Sequence, residues 1–169
     1  MLVCPTGNAT CRDGSFTWEG PAAARAAYAR DSVAAAERFL GEEIDPARGD
    51  VLFGSSRGAF VARDVIYEGP SGRWTGLVLA GAEIALDPAK VRRAGVRRVL
   101  LAAPDFDGAA ATMRRSRGAL CRAGIPARFV SLGPHGHGMV EGSPAILAKS
   151  LDWVMGSGAS AECPEPAPR

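Results

Sequence analysis

Short apolar runs recur along the chain at intervals that leave room for a helix between them. Four of these runs have the length and composition of buried β-strands: residues 51–53, 77–80, 99–103 and 127–132. A further apolar run, residues 1–4, is stopped by Pro5 and predicts a strand at the start of the sequence.

Helical patterns lie between the predicted strands. Residues 21–40 place alanines, Val33 and Phe39 on one side and charged residues mostly on the other, with Pro21 suited to the first position and Gly41 to the end. Further helices are predicted at residues 59–66, 87–91, 108–123 and 143–155. Because the strands are apolar throughout, we expect an α/β fold, with a mostly parallel sheet wound with helices.

The remaining segments contain turn-forming residues. Residues 6–20 predict a loop, and residues 156–169, rich in Gly, Ala, Ser and Pro, predict a disordered tail. The 169-residue length then suits a single domain over residues 1–155.

Composition and charge narrow the classes of partner. The chain is 47 % apolar and 22 % charged, with a net charge of +2, which is too small to favour nucleic acid. No apolar run approaches the length of a membrane span, and no basic-then-apolar leader is visible. The default expectation is a cytoplasmic protein that acts on a small molecule.

The cysteines leave the compartment open. Cys121 lies in a predicted helix and is expected to be a small buried hydrophobe. Cys4 and Cys11 could form a disulfide in an exported protein, or could be free thiols in the cytosol. The cysteine spacing matches no zinc site, and we expect no metal and no cofactor.

The strongest candidate for chemistry is the pattern Gly54-x-Ser56-x-Gly58. It lies between the strand at residues 51–53 and the helix at residues 59–66. A serine on such a turn is held in a strained conformation and presents its hydroxyl above the sheet. A side chain at either glycine is expected to collide with the neighbouring strand or helix. The alternative is an ordinary turn in which Ser56 only caps the helix.

Two later loops carry an acid and a base. Asp105 and Asp107 follow the strand that ends at residue 103, while His135 and His137, the only histidines, follow the strand that ends at residue 132. Parallel strands bring their carboxyl ends to one edge of the sheet. There an imidazole can activate a serine, and a carboxylate can orient the imidazole. Alternatively, the histidines are surface residues or a weak metal pair, and Asp107 is a helix cap.

With these residues the chain resembles the α/β-hydrolase family, and most of all its small carboxylesterase and dienelactone-hydrolase-type branch. The resemblance rests on residues 54–58, 104–107 and 136–138 and covers roughly residues 1–155. It implies a serine hydrolase that cleaves a carboxylic ester or a related acyl bond through an acyl-enzyme, without a cofactor.

The resemblance also implies a role for each site residue. Ser56 corresponds to the nucleophile, Asp107 to the acid, His137 to the base, and the backbone N–H of Arg57 to one donor of the oxyanion hole. The family pattern places the acid a few residues beyond its strand and a glycine before the histidine, so the second choices are Asp105 and His135.

The chain departs from the family pattern before residue 51. Family members have strands before the one that residues 1–4 resemble. Their third strand lies between the two that residues 1–4 and 51–53 resemble, and it ends in a loop, often His-Gly, that supplies the second oxyanion donor. Nothing here matches that strand or loop. The resemblance thus implies a sequence truncated at its N-terminus, a substitute donor from residues 6–11, or lost activity.

Two expectations follow from this departure. The first is an alternative function, a catalytically weak or inactive hydrolase-like domain that binds a small acyl ligand or a protein partner. The second concerns the sheet, which should have a gap or a new pairing beside residues 51–53. An open strand edge invites another chain to add itself, so we expect a homo-oligomer formed there or a need for upstream sequence.

Overall fold

A short hairpin precedes the first helix in the computed structural model, which describes residues 3–41, 49–156 and 163. Strands β1 (Ala9–Thr10) and β2 (Phe16–Thr17) pair antiparallel inside the segment that the sequence predicts to be a loop. The side-chain amide of Asn8 donates to the carbonyl of Glu19 and accepts from its N–H, which closes the hairpin at its open end. Two-residue strands are too short to produce a periodic pattern, so the sequence does not predict them.

The predicted strand at residues 1–4 is not formed by its described part. Val3 and Cys4 belong to no strand, and Met1 and Leu2 lie outside the described residues. Among the described residues no other strand is placed to pair with this segment. Its apolar character alone therefore does not make it a strand.

Strands and helices alternate from α1 (Ala22–Leu40) onward. The four remaining strands are β3 (Asp50–Ser55), β4 (Trp74–Ala80), β5 (Arg98–Ala103) and β6 (Ala127–Ser131). The helices between and after them are α2 (Arg57–Glu68), α3 (Pro88–Arg93), α4 (Ala109–Arg122) and α5 (Ser143–Val154). All four strands are parallel and lie side by side in chain order, which confirms the predicted fold class.

The alternation of side chains along the strands divides the core into two layers. In β4, Leu77 and Leu79 face the layer that contains α1, α2 and α4, while Val78 and Ala80 face the layer that contains α5. Both sides are fully apolar, which is why the strand reads as one continuous apolar run.

A buried ion pair fixes α1 against α2, although the sequence pattern places both partners on polar helix sides. Asp64 on α2 is only 3 % exposed, and its carboxylate is bound by the guanidinium groups of Arg25 and Arg63. A buried carboxylate without such partners would be strongly destabilising, so the two arginines are needed for this packing. The helix that directly follows the candidate serine is thereby held in place from its outer side.

The end of α1 is less well covered than its pattern predicts. Phe39 is 88 % exposed and Leu40 is exposed as well, whereas Ala26 and Ala29 are buried against α2. Gly41 ends the helix in the left-handed conformation, as expected. The predicted apolar side of α1 is therefore correct in its first half only.

The structure decides between the alternatives for two cysteines and adds a pairing that the sequence does not predict. Cys121 on α4 forms a disulfide with Cys163, and their Cα atoms are 5.8 Å apart. Cys4 and Cys11 are free thiols, which is the second of the two alternatives for them, and the disulfide between them is not formed. Cys121 does pack against the core, but it is not the unpaired hydrophobe that its helical position suggests. The predicted tail at residues 156–169 lies outside the described residues except for Gly156 and Cys163.

No described strand pairs with the outer side of β3, which is therefore the edge of the sheet within the described residues. Phe53, on this strand, is 51 % exposed. The open edge agrees with the gap expected beside residues 51–53.

Within the described ranges, no helix is long and apolar enough to cross a membrane.

We propose that this edge associates with a second copy of the chain, because unpaired strand groups beside exposed apolar side chains favour pairing. Sedimentation velocity over a range of concentrations should show a dimer or larger species. Phe53→Lys should weaken the association, since a charge at a sheet edge opposes pairing. A wild-type chain that stays monomeric at every concentration would contradict this proposal.

Candidate active site

The turn between β3 and α2 holds Ser56 in a strained backbone conformation. Ser56 has φ 49° and ψ −119°, and it is the one non-glycine residue with positive φ in the described ranges. Such a conformation costs about 1–3 kcal/mol and persists only where the surrounding structure enforces it. The Ser56 hydroxyl makes no capping hydrogen bond to α2, so the simple capping alternative does not describe this residue.

The two glycines of the turn have different roles. A Cβ on Gly54 would lie 2.4 Å from the carbonyl oxygen of Gly58, so strand and helix approach too closely for a side chain there. A Cβ on Gly58 would meet no atom of another element within 4 Å. The predicted collision is therefore right for Gly54 and wrong for Gly58, which lies at the open start of α2.

The serine and one of the two histidines are brought together. Ser56 Oγ is 3.1 Å from Nε2 of His137, which follows β6 in the chain. His137 is 81 residues away in sequence, and the parallel sheet places both residues at the same edge. Gly81, which follows β4, lies beside the histidine, and its φ of +55° rather than a lack of space favours glycine there, since a Cβ would lie at an ordinary contact distance of 3.6 Å from His137 Cε1.

Asp107 completes a chain of three hydrogen-bonded side chains. Its Oδ2 is 2.8 Å from His137 Nδ1, and its Oδ1 accepts from the N–H of Ala109 at 2.9 Å. Asp107 therefore both caps the start of α4 and binds the histidine. Burial raises the pKa of Asp107. The hydrogen bond from the Ala109 N–H, together with the hydrogen bond and the charge of His137, lowers the pKa by more than burial raises it, so the pKa lies below its ordinary value.

The second-choice residues have other partners. The carboxylate of Asp105 lies 3.5 Å from the guanidinium of Arg114. Both ring nitrogens of His135 face backbone carbonyls of its own loop: Nδ1 lies 2.8 Å from Gly136 O, and Nε2 lies 3.1 Å from Leu132 O. Neither side chain is bonded to Ser56, His137 or Asp107.

Backbone hydrogen bonds join the acid loop to the base loop. The N–H of Asp105 donates to Gly133 at 2.9 Å, and the N–H of Phe106 donates to His135 at 3.2 Å. The sequence pattern does not reveal this connection. These hydrogen bonds hold the two loops together and keep Asp105 and His135 beside the site, although their side chains do not contact Ser56.

A small cavity lies beside the serine and the histidine. Its volume is about 130 Å³, and it is lined by Ser55, Ser56, Ala80, Gly81, Leu132, His137, Gly138 and Met139. An apolar cavity of about 150 Å³ is large enough for benzene, so this one suits a group of a few carbon atoms.

In the described part of the chain, no group of three or more His, Cys, Asp or Glu residues is arranged to hold a metal ion.

The hairpin contacts the site through a residue whose side chain the sequence does not single out. Arg57 directly follows Ser56, and its Nη1 donates to Oγ1 of Thr17 on β2 at 2.6 Å. Beside Thr17, Trp18 packs against the core layer of α1 and α2 and meets Tyr28 edge to face. The segment before α1 is therefore attached to the turn that carries Ser56.

Three solved structures share this fold. Esterase PE8 is similar with a TM-score of 0.62 and 20 % identity, over 89 % of this chain and 76 % of that one. SOBER1 from Arabidopsis thaliana has a TM-score of 0.54 and 12 % identity, over 90 % and 80 % of the two chains. Atu2452 from Agrobacterium tumefaciens, described as a protein of unknown function, has a TM-score of 0.55 and 16 % identity, over 89 % and 76 %.

The protein thus has an α/β fold of the α/β-hydrolase type, as its resemblance to that family implies. At these identities the likeness concerns the fold. Neither a comparison with protein-family models nor one with curated proteins finds a significant match for the sequence. The roles of the site residues rest on the geometry described above and remain predictions.

The lowered pKa of Asp107 predicts a pH-dependent contribution to stability. The unfolded carboxyl titrates near 3.9, so the stabilisation is fully present above that pH and is lost as pH falls through the lower folded pKa. Asp107→Asn should therefore lower the free energy of unfolding at pH 7 more than at pH 3. Urea unfolding of both proteins at the two pH values tests this, and an equal difference at both would contradict it.

Proposed function

We propose that the protein is a serine hydrolase that cleaves a carboxylic ester or a related acyl bond. The observation that carries this proposal is the line of contacts from Ser56 Oγ to His137 Nε2 and from His137 Nδ1 to Asp107 Oδ2. Nucleophilic catalysis by serine uses this arrangement, in which the serine is hydrogen-bonded to an imidazole and a carboxylate orients the imidazole. Similarity to a structure named esterase PE8 agrees with an ester substrate.

In the proposed reaction, Ser56 Oγ attacks the carbonyl carbon while His137 Nε2 takes its proton. Asp107 holds the imidazole with Nδ1–H towards its carboxylate and stabilises the positive charge that develops. His137 then gives the proton to the departing alcohol, which leaves an acyl group on Ser56. Water, activated by His137, releases the acid.

The N–H of Arg57 is the proposed donor to the oxyanion. It belongs to the residue after the nucleophile, in the first turn of the 12-residue helix α2, whose positive end favours negative charge there. Loss of one oxyanion donor costs about a hundred- to a thousandfold in rate, so a site with a single donor would be slow.

The alternative function is a hydrolase-like domain that binds a small acyl ligand or a protein partner with little or no catalysis. The observation in its favour is the openness of the site, because the side chain of His137 is 59 % exposed. Electrostatic stabilisation of a transition state is weaker where water enters freely.

Stopped-flow hydrolysis of 4-nitrophenyl acetate distinguishes the two functions. A serine hydrolase should release a burst of 4-nitrophenol equal to the enzyme concentration, followed by steady turnover, if release of the acyl group is the slower step. Intact-mass analysis after acid quench should show one added acetyl group. Release of 4-nitrophenol at the rate seen in buffer alone, with no acetylated protein, would favour the alternative function, a domain that binds without catalysis.

A further inference from the structure

The side chain of Arg57 is hydrogen-bonded to a neutral group, so its positive charge is not compensated. Its guanidinium is exposed and donates to the neutral hydroxyl of Thr17. Among the described residues, no carboxylate lies within ion-pair distance of it, whereas the guanidinium groups of Arg25, Arg63, Arg73 and Arg114 each contact one. A full positive charge therefore lies one residue from the proposed nucleophile.

The acidic side chain nearest to the chemistry does not neutralise this charge. Both oxygens of Asp107 have partners, one the N–H of Ala109 and the other His137. A substrate that approaches Ser56 therefore finds a guanidinium that is not paired with Asp107, and the exposed carboxylate of Glu83 lies against Gly108 on the acid loop.

The contact with Thr17 also orients the guanidinium. A guanidinium has five N–H donors in a planar fork that fits a carboxylate. Fixing one of them on a hydroxyl lowers the entropy that is lost when the others bind a ligand. Thr17 is itself held in β2 beside the packed Trp18.

Neither Arg57 nor its partner Thr17 is among the residues that line the cavity, so the guanidinium lies outside it. The cavity residues Ala80 and Leu132 belong to the core layer of α5, whereas Trp18, next to Thr17, packs on the layer of α1 and α2. Because His137 lines the cavity and must protonate the departing alcohol, the alcohol lies on the cavity side. The acyl group then extends towards the hairpin and Arg57.

We propose that Arg57, oriented by Thr17, is a specificity-determining residue that selects esters whose acyl group ends in a carboxylate. The inference rests on the proposed function and adds the substrate class, monoesters of dicarboxylic acids. The carboxylate binds the free N–H groups of the guanidinium while the ester carbonyl lies at Ser56. No additional bond is made or broken, because the contact acts through binding alone.

The test compares two esters that differ in charge and otherwise only by one methyl group. One is the 4-nitrophenyl monoester of adipic acid, and the other is the same molecule with its free carboxyl group methylated. The wild-type enzyme should have the higher kcat/KM for the charged ester, and 0.5 M salt should reduce the ratio. Arg57→Gln should lower the ratio about ten- to a hundredfold, as expected for a lost hydrogen bond to a charged group.

Three further variants separate this effect from a structural one. Arg57→Lys keeps the charge and should retain part of the preference, and Thr17→Val should lower it because the guanidinium loses its orientation. Arg115→Gln is the matched control, since Arg115 donates to the hydroxyl of Thr112 at 2.9 Å on α4 and should leave the ratio unchanged. Adipate should also inhibit the wild-type enzyme more strongly than adipamide.

The outcomes are distinguishable. If the methylated ester is hydrolysed but the charged one is not preferred, or Arg57→Gln does not change the ratio, the inference about Arg57 is wrong and the proposed function stands. If neither ester is hydrolysed, this inference is wrong, and the proposed function fails with it where Ser56 also does not react with an active-site probe.

Discussion

Ser56→Ala is expected to lower the rate of ester hydrolysis on the order of a millionfold, the cost of removing the nucleophile from a serine–histidine–acid triad. The reason lies in the geometry, since Ser56 Oγ is the atom that His137 Nε2 contacts at 3.1 Å. Steady-state hydrolysis of 4-nitrophenyl acetate, together with circular dichroism to verify the fold, measures the effect.

Ser55→Ala is the matched control for this variant. Ser55 is the last residue of β3 and lines the cavity, but no hydrogen bond connects it to His137 among the described contacts. Its loss should cost far less than the loss of Ser56. If Ser55→Ala is the inactive variant and Ser56→Ala retains activity, the assignment of the nucleophile is wrong.

The second large effect is expected at the residues that activate the serine. His137→Ala removes the proton acceptor. Asp107→Asn removes the carboxylate whose Oδ2 lies 2.8 Å from His137 Nδ1 and fixes the tautomer of the imidazole. Each should lower kcat about ten-thousandfold or more. Pre-steady-state acylation rates, measured with the same ester, report the loss directly.

His135→Ala and Asp105→Asn are the matched controls for the base and the acid. His135 faces the carbonyls of Gly136 and Leu132, and Asp105 pairs with Arg114, so both stabilise the loops rather than contact the serine. Their substitution should change the acylation rate far less than loss of His137 or Asp107. A larger loss at His135 or Asp105 would reverse the assignment.

The sheet and most helix positions could be predicted because burial on both faces leaves a strong local pattern. Strand β5 shows this, since Val99, Leu100 and Leu101 are completely buried and read as one apolar run. The candidate site was also accessible to sequence reasoning, because parallel strands bring their carboxyl ends together. The family pattern then favoured Asp107 and His137, the two residues that contact each other.

Features that depend on contacts distant in sequence were not predictable. Asp64 reads as a polar surface residue, and only the packing of Arg25 from α1 explains its burial. Likewise, nothing local to Cys121 indicates a partner 42 residues away. The contact between Arg57 and Thr17 spans 40 residues and involves a hairpin too short to leave a pattern.

The central claim is that Ser56 is an activated nucleophile. The most direct measurement is reaction of the wild-type chain with a fluorophosphonate probe, followed by peptide mapping by mass spectrometry. We predict that one probe is incorporated per chain, on Ser56, and that His137→Ala largely prevents the reaction. No incorporation by the folded protein, or incorporation at another residue, would contradict the claim.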